Sequence, residues 1–263
     1  MDKEILQSLR DIEQENDVKV LYACESGSRA WGFSSKDSDY DVRFFYVHRP
    51  DVYLSIDPVG LGKKRDVIER PIHDLLDVSG WDLTKALKLF RKSNPPLLEW
   101  LYSDIIYEET YGAAEQMREL SRDIFSPSSC IHHYTNMAAN NYRAIDGKNE
   151  VKLKTYFNAL RPVLAAKWIA QRQEIPPLSF HALLTQVVQD HDLFDAIQRL
   201  LEQKIAGDEG NKGLNIPVID HFLETEIEQL RRYADKLHYH HIDDPTEQLN
   251  QLFRRTLQEV WSY

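Results

Sequence analysis

Asp39 and Asp41 stand two residues apart, and a Gly27-Ser28 pair precedes them with ten residues between. On a strand, alternate residues share a face and lie about 6–7 Å apart. The two carboxylates therefore project together and can converge on one hard divalent cation. Magnesium prefers such oxygen ligands and keeps positions open for phosphate oxygens. Two-metal phosphoryl transfer takes carboxylates from neighbouring strands, with ions roughly 3.5–4 Å apart. The Gly27-Ser28 turn precedes a predicted helix start, where backbone N–H groups and the helix dipole attract phosphate. Glycine permits close approach and the Ser28 hydroxyl adds a donor. An isolated Asp-x-Asp is more often a solvated strand edge or an Asx turn. The Gly-Ser pair, set between two apolar strands, turns the balance toward a triphosphate clamped between donors and metal.

Those residues need a frame. Val18 to Ala23 is apolar and β-branched and predicts a buried strand, ending in a small-residue turn, Glu25 to Gly32, into a short helix. A second strand is predicted over Tyr40 to Val47, a loop over Pro50 to Gly62, and a third strand over Asp66 to Val78, bent at Pro71. From Trp81 the period becomes helical, with Leu83, Ala86, Leu87 and Phe90 on one face and Asp82 as N-cap. Ser93-Asn94-Pro95-Pro96 stops that helix. Helical segments continue to the end, broken at Ser126-Pro127, Pro176-Pro177, 207–213 and Asp243-Asp244-Pro245. The expected class is α+β: a small mixed sheet with flanking helices, then an all-helical bundle. The boundary falls within 104–127, dividing a catalytic domain, 1–115, from a helical one, 116–263.

Composition narrows the partners. At 263 residues, 42% hydrophobic and with five Trp and thirteen Tyr, the chain supports a real core. A net charge of −10 disfavours general nucleic-acid binding, so any such contact must be local. Residues 60–92 are the local exception, with eight Lys or Arg against five Asp or Glu. No apolar run approaches the roughly 20 residues of a membrane span. Met1 to Ile12 reads as an amphipathic helix with Ile5, Leu6, Leu9 and Ile12 inward, rather than a signal peptide. Two cysteines, Cys24 and Cys130, without CxxC spacing make a disulfide framework an unsuitable reading and a reducing cytoplasm the expected setting.

Gly27-Ser28-Arg29-Ala30-Trp31-Gly32-Phe33 followed by Ser38-Asp39-Tyr40-Asp41 resembles the signature of the DNA polymerase beta nucleotidyltransferases. Asp77-Val78-Ser79-Gly80-Trp81-Asp82-Leu83-Thr84-Lys85-Ala86-Leu87, Lys92-Ser93-Asn94-Pro95, Glu99-Trp100-Leu101, Tyr156-Phe157, Leu160-Arg161-Pro162 and Trp168 are similar to its RlaP-type branch, linked to RNA repair. The resemblance implies a minimal polymerase-beta catalytic fold, NTP as substrate, Mg²⁺ or Mn²⁺, and an acceptor hydroxyl, with an RNA end as the first choice. It also implies a third carboxylate on a strand beside Asp39 and Asp41. Asp77 fits best, as metal bridge or general base; the competing reading makes it the cap of the following turn. A protein side chain as acceptor, or a silent nucleotide-binding module, are the alternatives.

Around this centre several basic residues compete for a phosphate role. Arg29 adjoins the Gly-Ser turn, and Lys85, Lys88 and Lys92 share a helical face with Arg91 nearby, a face that is more often simply solvated. Lys154, Tyr156 and Arg161 match the branch's recurring word; Arg161 meets either a triphosphate or a buried ion-pair partner. Gly60-Leu61-Gly62-Lys63-Lys64 lacks Walker spacing and reads as a turn. His238, His240 and His241 beside Asp243 and Asp244 lack a partner at zinc spacing.

Overall fold

The computed structural model describes residues 1–57, 59–61, 66–73, 75–207, 212–237 and 244–262. Asp74, most of the Gly60–Lys64 turn, and the histidines at 238, 240 and 241 with Asp243 lie outside them. The chain forms two compact units: Met1–Ala30, Asp39–Phe125 and Ile242–Tyr263 make one, and Trp31–Ser38 with Ser126–His241 the other. The change of unit falls after Phe125, whereas the sequence suggested 115. Two segments also cross over, 31–38 to the second unit and 242–263 to the first.

The first unit is built on a sheet. Helix α1 (Asp2–Asn16) turns Ile5, Leu9 and Ile12 inward and ends where Asp17 adopts a left-handed conformation; Leu6 stays only half-buried. Strand β1 (Val18–Glu25) leads into a single helical turn, α2 (Gly27–Ala30), and then β2 (Tyr40–His48). Pro50–Tyr53, expected as loop, forms the helical turn α3, because Pro50 fits the first helical position. The bent third strand is in fact two. β3 (Val67–Glu69) and β4 (Leu76–Asp82) pair antiparallel, with Pro71 in the connection where its missing N–H costs no ladder bond. Trp81 stays in the strand, its ring 3.9 Å from that of Trp100. The helix starts at Leu83 instead: α4 (Leu83–Phe90), capped by the Asp82 carboxylate accepting from the Thr84 N–H at 2.8 Å. Helix α5 (Pro95–Leu101), strand β5 (Ile106–Glu109) and α6 (Ala113–Ile124) follow, and α12 (Thr246–Trp261) belongs to the same unit.

The sheet order is β3-β4-β2-β1-β5, parallel only between β2 and β4. Alternation along β2 sends Val42, Phe44 and Tyr46 into a core with α1, Val18, Val20 and Val78. Asp41, Arg43 and Phe45 take the other face, where Phe45 lies against Trp100.

The second unit is helical: α7 (Pro127–Tyr142), α8 (Leu153–Arg172), α9 (Phe180–Val187), α10 (His191–Ile205) and α11 (Pro217–Lys236). A short ribbon of β6 (Glu150–Lys152) and β7 (Lys212–Leu214) is added to the expected bundle. Its core gathers the rings of Phe33, Phe157 and Phe180, with centroids 4.9–5.4 Å apart. No helix among the described residues is long and apolar enough to cross a membrane.

Candidate active site

Parallel pairing sets Asp41 on β2 against Asp77 on β4 as register partners. Side chains of paired residues on one face stand close, so two carboxylates meet here. The guanidinium of Arg43, next on the same face of β2, bridges them. Its Nη2 donates to Asp41 Oδ1 at 3.1 Å and to Asp77 Oδ2 at 2.8 Å, and Nη1 donates to the Asp77 carbonyl at 3.1 Å. Like charges that close repel, and the shared cation is what offsets the repulsion. Arg43 is 19% exposed and both aspartates 28%, so solvent reaches the cluster.

The Gly27 turn fits against the same carboxylate. A Cβ placed on Gly27 would lie 2.0 Å from Asp41 Oδ2, and the residue has φ +60°. Both facts require glycine. The Ser26 N–H donates to the Asp41 carbonyl at 2.8 Å, fastening the turn to β2. Helix α2 is only one turn long, so its dipole is small and close backbone approach is the stronger feature. Arg29 is committed locally: its Nε donates to the Asp39 carbonyl at 3.1 Å and its guanidinium sits 3.6 Å from the Tyr40 ring centroid. Asp39 itself immediately precedes β2.

Beneath the cluster lies Glu25, fully buried at the end of β1. Its Oε1 accepts from the Asp41 N–H at 2.7 Å, and its Oε2 accepts a short bond from the Tyr107 hydroxyl. Burial raises its pKa, while the Tyr107 and Asp41 donors pull the other way. Sequence reasoning passed over both Glu25 and Arg43. A carboxylate closing an otherwise apolar strand, and a cation two residues beyond Asp41 on its own face, were the available signals.

Three carboxylates, Glu25, Asp41 and Asp77, thus share this end of the sheet with the Arg43 guanidinium, and Asp39 adjoins them in the chain with its backbone carbonyl held by Arg29. Among the described residues no three His, Cys, Asp or Glu side chains are grouped to hold a metal ion. Asp41 and Asp77 form a pair, and Asp39 is not gathered with them into a triad. The donor chemistry of that pair, hard oxygens in an excess of negative charge, fits Mg²⁺ or Mn²⁺.

The remaining candidates lie elsewhere. Lys85, on α4, follows the opposite end of β4 and pairs with Asp66 at 3.1 Å. Arg161, on α8 of the helical unit, is buried with its guanidinium 4.5 Å from the Trp31 ring. In the same unit Lys204 is 3% exposed, with Nζ 5.6 Å from the Phe33 ring. Burial, and then the charge of Lys154, lower its pKa to about 8. Between there and the ordinary lysine value the folded state binds fewer protons than the unfolded. The penalty of burying Lys204 is therefore expected to fade as pH rises across that window. Lys204→Met should be more stable than wild type by about 2–3 kcal/mol at neutral pH, and that gap should close toward the ordinary lysine value. Denaturant unfolding of both proteins at a series of pH values checks this; a gap that does not change with pH contradicts the burial argument.

A sheet with paired carboxylates at one end of its only parallel strand pair, and a glycine turn against one of them, has the makings of a nucleotidyltransferase. The sequence model of RlaP, the RNA repair pathway DNA polymerase beta family, matches residues 1–255, and the chain belongs to that family. It is 49% identical over 261 residues to YcgL of Bacillus subtilis (strain 168), an uncharacterized protein, covering 99% of this chain and 98% of that one. A crystal structure of a nucleotidyltransferase-like protein from Exiguobacterium sibiricum 255-15 matches 96% of this chain and 79% of its own, at 12% identity and a TM-score of 0.31. Family membership makes the chain a polymerase-beta-like nucleotidyltransferase.

Proposed function

We propose that the protein transfers a nucleoside monophosphate from an NTP to an acceptor hydroxyl, with an RNA end as the acceptor. The observation that carries this reading is the Asp41–Asp77 pair, set side by side on β2 and β4 with the Gly27 backbone against Asp41. Asp41 and Asp77, with Asp39 just before the strand, would hold Mg²⁺ or Mn²⁺, which when bound neutralises triphosphate charge. Gly27 and Ser28 bind the β- and γ-phosphates through backbone N–H groups and the Ser28 hydroxyl. The acceptor oxygen forms a bond to the α-phosphorus, the bond to the leaving pyrophosphate breaks, and Asp77 takes the hydroxyl proton. Glu25 holds the Asp41 backbone in place, and Arg43 balances the carboxylates before a cation is bound. Lys85 and Arg161 receive no step, one being paired with Asp66 and the other set on Trp31. The two buried thiols, Cys24 and Cys130, suit a reducing cytoplasm.

The test is transfer of label from each α-labelled NTP, with Mg²⁺ or Mn²⁺, to RNA ends and to protein. Label on RNA with stoichiometric pyrophosphate, lost in Asp41→Asn, is the expected result. Label on protein moves the acceptor to a side chain. No turnover of any NTP leaves a silent nucleotide-binding module.

A further inference from the structure

The sheet unit has a concave site at the opposite end of β2 and β4 from the Asp41–Asp77 pair. It is a cavity of about 340 Å³ between α4, α12 and the segment after α3. Asp77 is the second residue of β4, whereas Thr84 on the cavity wall lies just past its end. The five strand steps from Asp77 to Asp82, at about 3.3 Å each, put about 16 Å between the two along the strand direction. The volume sits at the lower end of the roughly 300–1,000 Å³ range of small-molecule sites. It suits one ring system with one small charged group and is short for a triphosphate.

The walls say which chemistry fits. Tyr53 and Phe253 meet edge to face, with centroids 4.9 Å apart, and Leu87 and Leu249 add aliphatic surface. The Tyr53 hydroxyl donates to Asp82 at 2.6 Å and accepts from the His48 N–H at 3.0 Å. Its hydrogen-bonding capacity is thus used in the wall, and the ring is what it offers the cavity. The Thr84 hydroxyl likewise donates to Asp82. The charged groups lining the cavity are both cationic. Lys88 on α4 and Arg91 just past its end stand three residues apart, both exposed, and Arg91 Nη1 donates to Thr246 at 2.7 Å. Asp244 faces Arg91 from the segment before α12, leaving one positive charge in excess. Asn250, exposed on α12, supplies an amide that both donates and accepts.

We propose that this cavity binds a planar aromatic ring bearing a single phosphate, the chemistry of a nucleoside monophosphate. The ring lies against Tyr53 and Phe253, Asn250 meets its polar edge, and Lys88 and Arg91 take the phosphate. The site is separate from the Asp41–Asp77 pair, so its occupant neither reacts nor competes there. Calorimetric titration of the full chain carrying Asp41→Asn, in EDTA, with AMP, phenyl phosphate, adenosine and inorganic phosphate tests it. One AMP per chain is expected, with adenosine and inorganic phosphate each at least about tenfold weaker. The Lys88→Ala, Arg91→Ala double variant and, separately, Asn250→Trp should each weaken AMP by about tenfold or more. All three positions are exposed, so these variants keep the fold. Phenyl phosphate binding as well as AMP supports the ring-plus-phosphate class. Failure of both phosphates to bind, or AMP binding unchanged in both variants, overturns the proposal.

Discussion

Asp41→Asn and Asp77→Asn, each alone, are expected to lower nucleotide transfer by on the order of a thousandfold while the fold survives within about 1 kcal/mol. The reason lies in the charge arrangement around Arg43, which bridges the two carboxylates at 3.1 and 2.8 Å. With both aspartates ionised the three groups carry one excess negative charge. Changing one to Asn leaves a neutral pair, with an amide oxygen still able to accept from the guanidinium. Stability therefore stays level, or rises slightly as the repulsion goes. The double Asn variant is different, because it strands the Arg43 cation, about one-fifth exposed, without a carboxylate. That protein should unfold more easily than either single variant. Labelled-product assays beside denaturant titrations separate the two effects. Either single variant transferring at the wild-type rate sinks the catalytic role of the pair.

What the sequence disclosed was local. Asp82 as the cap of α4, the inward face Leu83, Ala86, Leu87 and Phe90, and the stop at Ser93-Asn94-Pro95 all follow from neighbours within one or two turns. So do β1 and β2, whose apolar runs match the observed strands to within two residues. What stayed hidden depends on partners far along the chain. The break of the third strand into β3 and β4 is fixed by antiparallel pairing of Val67 to Glu69 with Ser79 to Trp81. Glu25 matters because Tyr107, from a strand more than eighty residues later, reaches its carboxylate. The segment 31–38 directly follows the one-turn helix that holds the Gly-Ser pair, yet its Phe33 ring packs with Phe157 and Phe180 in the helical unit. No periodicity in eight residues announces such a transfer. The site divides the same way: the Asp-x-Asp spacing marked Asp41, and only the parallel register sets Asp77 opposite it.

Gly27→Ala is expected to cost transfer activity about a hundredfold or more, although it adds a single methyl group outside any polar contact. That methyl would lie 2.0 Å from Asp41 Oδ2 and 2.9 Å from its Cγ, distances no real contact sustains. Either the carboxylate swings away or the turn opens, and both displace the group proposed to hold the cation. The φ of +60° adds a separate strain, so the stability loss should reach about 1–2 kcal/mol. Ser28→Ala, one residue on, lacks both effects and should lower NTP affinity without comparable loss of stability. A double-mutant cycle separates clash from strain. In an Asp41→Ala background the added methyl meets no carboxylate, so Gly27→Ala should there cost only the strain. Equal stability losses in both backgrounds would mean that the carboxylate does not rest on Gly27. Full activity of Gly27→Ala would show that the turn does not position Asp41 for the reaction.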